Sequence, residues 1–244
     1  MSNKGTNLKE KLRQALASTI RVISDDFEIK KHEDNKSSNK LDFFELDNLN
    51  SKSDFIKARA EADSAALKKK FSNDEIYKKN APNNSSCRPL YAIAEKTRYE
   101  TLGGKMLKGI EKNLSDNYSQ IINLKRKDQL KTKEDVPITE AFELYMLKHF
   151  YNIELNSLSS KMLNFWEKEF DQSINKKIKF LKDNFEDQNA YSSKFSKILQ
   201  DMDIFQNDDN QESQEENQDQ GQDNPSNDDE ESENEDKKDQ NKDQ

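Results

Sequence analysis

Residues 206–244 contain no Ala, Val, Ile, Leu, Met, Phe, Trp, Tyr or Cys. Nothing in that stretch gains by leaving water. No burial offsets the entropy lost on ordering it, so the sequence predicts a disordered tail. The tail holds 16 acidic residues and 3 lysines, a net charge of −13, and blocks of like charge repel and extend a chain. Residues 1–205 keep the remaining 32 acids and 37 bases, a net charge of +5. They also hold all 13 Phe, all 7 Tyr and Trp166. Only this part can build a core. Two regions are expected: a folded domain at 1–205 and an acidic tail at 206–244.

Over the whole chain 31% of residues are hydrophobic and 36% charged, so long helices with polar outer faces and a thin core are expected. No run approaches the ~18 consecutive apolar residues of a membrane span. The opening residues MSNKGTNLKEKL lack the apolar core of a signal peptide. Cys87 is the only cysteine, which excludes a disulfide framework and a Cys-rich zinc site. A cytoplasmic protein without a membrane partner is expected. Five Gly and four Pro argue against a many-turned β protein and a glycine-rich nucleotide fold. Lys outnumbers Arg 34 to 6, a bias that looks compositional, so lysine counts carry no binding argument. No compact Arg-rich motif occurs and the tail would repel phosphates, so no nucleic-acid partner is expected.

Leu8, Leu12, Ala15, Leu16, Thr19, Ile20 and Ile23 recur at helical spacing and predict an amphipathic first helix. Between 25 and 45 that period gives way to alternation around a polar loop, which admits one short β-hairpin. Residues 53–70 read as helix with a Ser53 or Asp54 cap. Ser86 and Pro89 open a helix through Tyr91, Ala94, Leu102, Met106, Ile110 and Leu114 towards Leu124. Residues 125–135 read as a solvated linker. Further helices are expected from Asp135 and Pro137 to Phe150, Leu158 to Phe170, Ile174 to Phe185 and Asn189 to Phe205. The fold class is all-α, a bundle of about six or seven helices with a disordered acidic C-terminal tail.

Catalytic signatures are missing. His32 and His149 lie far apart, and neither stands in metal-ligand spacing with Cys87. There is no H-E-x-x-H, C-x-x-C or G-x-S-x-G. Gly104-Lys105 could end a phosphate loop, but Tyr99 occupies the place of its first glycine and Met106 that of the magnesium-binding hydroxyl residue. The nearest string to a D-x-S-x-S metal-adhesion motif is Asp171-Gln172-Ser173-Ile174-Asn175. No catalytic, cofactor-binding or metal residue is expected. His149 reads as an interfacial or exposed residue at a helix end, and Cys87 as an ordinary thiol beside a helix start.

Two segments are unusual. Lys57 to Asp63 sets charges among alanines, with Arg59 one turn before Asp63. On the helix after Pro89, positions 91, 94, 98, 102, 106, 109 and 113 share a face, so Arg98 and Asn113 fall in an apolar stripe. An unpaired charge there is costly. In one reading Arg98 and the acids Glu61 or Asp63 form a buried network; in the other they mark a partner groove. Gly103, Gly104 and Gly109 crowd the same helix, where glycine costs about 1 kcal/mol relative to Ala. Close helix contact at Gly103 and Gly109, or a kink at Gly103-Gly104, would account for them.

The strings KARAEADSAALKKKF (57–71) and RPLYAIAEKTRYETLGGKMLKGIEKNL (88–114) resemble the N-terminal region of the CobT family. Arg59, Glu61, Ala62 and Asp63 carry the first match. Glu95, Arg98, Glu100, Leu102, Gly103, Met106, Gly109, Asn113 and Leu114 carry the second. The opening helix, VPITEAFELYMLK (136–148), NFWEKEF (164–170) and DQNAYSSKFSKILQDMDI (187–204) follow in family order. The resemblance implies an accessory, non-catalytic subunit of the aerobic ATP-dependent cobaltochelatase, a ligase of cobalamin biosynthesis. Such a subunit assembles with a CobS-type AAA+ ATPase. Together they act on a CobN-type large subunit that binds hydrogenobyrinic acid a,c-diamide and takes the cobalt ion. ATP, magnesium and cobalt would sit on other subunits of a hetero-oligomer, and no cofactor is expected on this chain.

Family members continue past an acidic linker into a von Willebrand factor A domain, and this sequence stops within the linker. Assembly through the helical domain is therefore the role expected to remain. Its candidate structural or assembly positions are Arg59, Glu61, Asp63, Glu95, Arg98, Gly103, Met106, Gly109 and Asn113. The alternative is a freestanding chaperone-like interaction protein whose acidic tail shields basic clients.

Overall fold

The computed structural model describes residues 3–25, 51–124 and 130–202, and these form ten α-helices with no strand among them. In α1 (Asn3–Ser24) Leu16, Ile20 and Ile23 are buried against α2 (Lys52–Phe71). Helix α2 opens at Ser51, upstream of the expected cap. The Ser51 hydroxyl accepts from the Asp54 N–H, and the Asp54 carboxylate accepts from the Ser51 N–H at 2.9 Å. Two end groups are thereby satisfied reciprocally. The alanines of α2 explain its odd composition. Ala58, Ala60, Ala62 and Ala66 are all buried, and their small side chains let α1, α4 (Arg88–Met106) and α5 (Lys108–Leu124) pack around it.

A short α3 (Asp74–Lys79), capped by Asn73, leads towards α4. Helix α4 is the hub, packing against α2, α5, α6 (Ile138–Phe150) and α10 (Gln188–Gln200). It buries residues on nearly every side, including Tyr91, Ala94, Glu95, Arg98, Glu100 and Leu102.

The single long helix expected through Leu124 is broken. Leu107 is extended (φ −140°, ψ 115°) and separates α4 from α5, its N–H donating to the Gly103 carbonyl at 2.9 Å. The expected stripe therefore ends at Leu102: Met106 and Gly109 are exposed, and Asn113 arrives on a separate helix.

Other expected helices are also divided. Residues 158–170 split into α7 (Ser157–Asn164) and α8 (Glu167–Ile174). Between them the Trp166 indole N–H donates to the Val136 carbonyl at 3.0 Å. Residues 174–185 reduce to a 3-10 turn, Asn175–Lys177, and α9 (Ile178–Asp183). Asn156 and Asp187 cap α7 and α10 through their side chains, so the extra helix starts are satisfied locally. The described end of the expected linker forms another 3-10 turn, Lys133–Asp135. These divisions, with the unexpected α3, raise the count above six or seven. The aromatic rings of Phe142, Phe170 and Phe195 meet edge-on at 5.4 and 6.1 Å and join α6, α8 and α10. No helix among the described residues is long and apolar enough to cross a membrane. The expected hairpin near 25–45 and the acidic tail lie outside the described residues.

Candidate functional site

Polar chemistry in the core collects on α4. Arg98 is buried and donates from Nε and Nη2 to Glu95 at 2.9 and 2.8 Å. The same guanidinium donates to the Phe71 carbonyl at 2.5 Å and the Phe185 carbonyl at 2.9 Å. Phe71 ends α2, where carbonyls lack helical partners and carry partial negative charge, so a cation there is favourable. Arg98 thus ties α2, α4 and the α9–α10 loop together. Glu95 accepts in addition from the Ser72 hydroxyl at 2.7 Å and the Gln188 amide at 3.0 Å.

This is a buried network with partners other than those expected. Neither Glu61 nor Asp63 reaches Arg98. Glu61 is exposed and lies 3.8 Å from Lys57. Asp63 is fully buried, accepts from the Asn113 amide at 2.7 Å, and has the Arg59 Nε at 3.6 Å. Burial pushes the Asp63 carboxyl above its ordinary 3.8, against opposing pulls from Asn113 and Arg59. Asp63 and Asn113 therefore join α2 to α5, while Arg98 and Glu95 join α2 to α4.

A third centre was named in the family match but not among the candidate positions. Glu100 is buried, and its Oε2 accepts from the hydroxyls of Tyr118 and Tyr151 at 2.6 Å each. Its Oε1 accepts from Ser64 at 2.5 Å. Burial, and then the Glu100 charge, push both tyrosine hydroxyls well above 10, which keeps them protonated donors. One carboxylate thereby gathers α2, α5 and the end of α6. Glu100 lies off the apolar stripe on a helical wheel. The available signal was its place in the matched string.

The three glycines differ. A Cβ on Gly103 would come within 2.3 Å of the Leu67 methyls, so Gly103 permits the α2–α4 contact. A Cβ on Gly104 would make ordinary contact with Glu111, and one on Gly109 would meet nothing within 4 Å. Close contact within the chain is thus real at Gly103, and the expectation fails at Gly109. Met106 is 39% exposed beside Leu107 at 49%.

Cys87 is buried at the start of α4, with its thiol 3.7 Å from the Leu199 carbonyl. His149 lies in the last turn of α6, its ring 4.3 Å from that of Tyr145. No cluster of three or more His, Cys, Asp or Glu among the described residues is placed to hold a metal ion. The buried Glu95, Arg98 and Glu100 of α4 are directed at one another or at side chains and backbone carbonyls of neighbouring elements, an arrangement that fixes helix positions.

Comparison with known proteins gives the chain a family. It matches the family model described as cobalamin biosynthesis protein CobT over residues 6–244. Searches of curated proteins and of solved structures give no match. The family match takes in α4 with its ion pair, the Glu100 cluster and the glycine-rich α4–α5 junction. The chain belongs to the CobT family of cobalamin biosynthesis proteins.

Proposed function

We propose that the chain is an accessory, non-catalytic subunit of a cobaltochelatase. It assembles with a CobS-type AAA+ ATPase and acts with it on a CobN-type large subunit, where cobalt enters hydrogenobyrinic acid a,c-diamide as substrate. ATP and magnesium are bound by the ATPase, and the site of action is the cytoplasm. The observation that carries this reading is the family match over residues 6–244. The hub helix adds support: Glu95, Arg98 and Glu100 are consumed in holding helices, as suits a part that organises partners. Arg59, Asp63, Gly103 and Asn113 act as structural positions around that hub, and Glu61, exposed on α2, is an assembly position.

Size-exclusion chromatography with light scattering tests the reading. The chain is mixed with its CobS-type ATPase with and without ATP, alongside a CobT homologue carrying the von Willebrand A domain as positive control. A discrete nucleotide-dependent complex is expected. Absence of a complex where the control forms one would overturn the reading. Salt-sensitive binding to many unrelated basic proteins would replace it with the chaperone-like alternative.

A further inference from the structure

We propose that the elbow between α4 and α5, residues 105–109, is the surface that docks the ATPase subunit, and that the partner meets it with an acidic face holding an apolar recess. This rests on the subunit reading above and adds the face to it.

All five elbow residues are exposed. A single exposed apolar side chain needs no explanation. Here two large ones, Met106 and Leu107, stand together where α4 ends. Leu107 is held in extended backbone by its bond to Gly103, so the elbow is a defined turn.

Gly109 adds a second observation. No described glycine has a positive φ, so Gly109 is not required for backbone conformation. Among the described residues nothing lies within 4 Å of where its Cβ would be. Glycine leaves the unfolded chain freer than alanine would, and among the described residues neither of the usual internal reasons for it applies. Close approach by a neighbour other than the described residues does account for it, and a partner subunit in that place would cover Met106 and Leu107 as well.

Charge identifies the occupant. Lys105, Lys108 and Lys112 are exposed around the apolar pair. The Lys105 ammonium lies 5.3 Å from the Phe185 ring and that of Lys182 lies 5.6 Å from the Phe150 ring, while the two rings are 6.1 Å apart. Positive charge therefore rims the elbow, with Glu111 the acid in the first turn of α5. Lysine counts mean little in this sequence, but this placement around an apolar pair does not depend on the count. A second copy docking elbow to elbow would set lysines against lysines. An acidic surface is the complement.

The test titrates the full chain against the ATPase in the nucleotide state that supports assembly. Leu107→Glu and Gly109→Leu are each expected to weaken binding by at least about tenfold, with thermal unfolding confirming that both variants are folded. Phe55→Glu, at an exposed phenylalanine elsewhere, should stay within about twofold of the parent, since isolated surface changes rarely matter. Parent affinity should fall as salt is raised. Elbow variants that bind like a binding-competent parent would overturn this inference alone, as would affinity indifferent to salt. A parent chain that fails to bind while the control homologue binds would remove the subunit reading and this inference together.

Discussion

Arg98 and Glu95 stand one turn apart on α4 and pair at 2.8 Å with 1% and 4% of their side chains exposed. Their attraction alone is weak evidence for stability, because both charges left water to form it. Its consequence lies in what removal leaves behind. Arg98→Met strands the Glu95 carboxylate in the core and uncaps the Phe71 carbonyl at the end of α2. A loss of about 3–5 kcal/mol is expected in urea unfolding. Glu95→Leu combined with Arg98→Met should lose less than Arg98→Met alone, because no charge is left unpaired. A near-neutral single variant would show that Arg98 does not hold the helices.

The glycines of one sequence stretch should respond in opposite directions. Gly103→Ala places a methyl against the side chain of Leu67, which is fully buried and has to shift to admit it. A loss of about 1–3 kcal/mol is expected. Gly109→Ala meets open space and removes backbone freedom from the unfolded chain, so a gain of about 0.5–1 kcal/mol is expected. Thermal unfolding of the two variants side by side checks the sign of each.

That contrast marks how far the sequence could be read. The helical class follows from spacing, and Leu16, Ile20 and Ile23 meet α2 as their period requires. The burial of Arg98 also follows, because it falls in line with Tyr91, Ala94 and Leu102. Its partners do not follow. Two of them are the backbone carbonyls of Phe71 and Phe185, and a carbonyl leaves no mark in side-chain pattern. The break at Leu107 carries no proline, and glycines on both sides fit either a kink or a close contact. Glu100 is held by hydroxyls from Ser64, Tyr118 and Tyr151, residue types that periodicity treats as neutral. Burial on nearly every side of α4 defeats any reading based on one apolar face.

The Glu100 cluster offers its own test. Glu100→Gln keeps the shape but removes the charge that strengthens three short hydrogen bonds. A loss of about 1.5–3 kcal/mol is expected. Tyr118→Phe and Tyr151→Phe remove donors from the same oxygen, Oε2. Their effects should be non-additive, since groups sharing one partner couple by about 0.5–3 kcal/mol. A double-mutant cycle in urea measures the coupling, and strict additivity would mean that the hydroxyls do not act on one carboxylate.

His149 predicts how stability responds to acid. Its Nε2 is buried with no hydrogen-bond partner among the described residues, and its ring packs on Tyr145. Burial lowers the imidazole below its ordinary 6.5, and Lys148 and Lys182 lower it further, against opposing pulls from Asp171 and Glu167. The folded chain therefore binds fewer protons at this site than the unfolded chain. The contribution is fully present above pH 6.5 and is lost as pH falls through the lower folded value. The chain has two histidines, so His32→Asn in both proteins leaves one imidazole to follow. In that background His149→Phe should retain ring packing against Tyr145 and flatten the loss of stability between about pH 8 and 5.5, read from urea midpoints at each pH. A variant as acid-sensitive as its parent would place the responsible groups elsewhere in the fold.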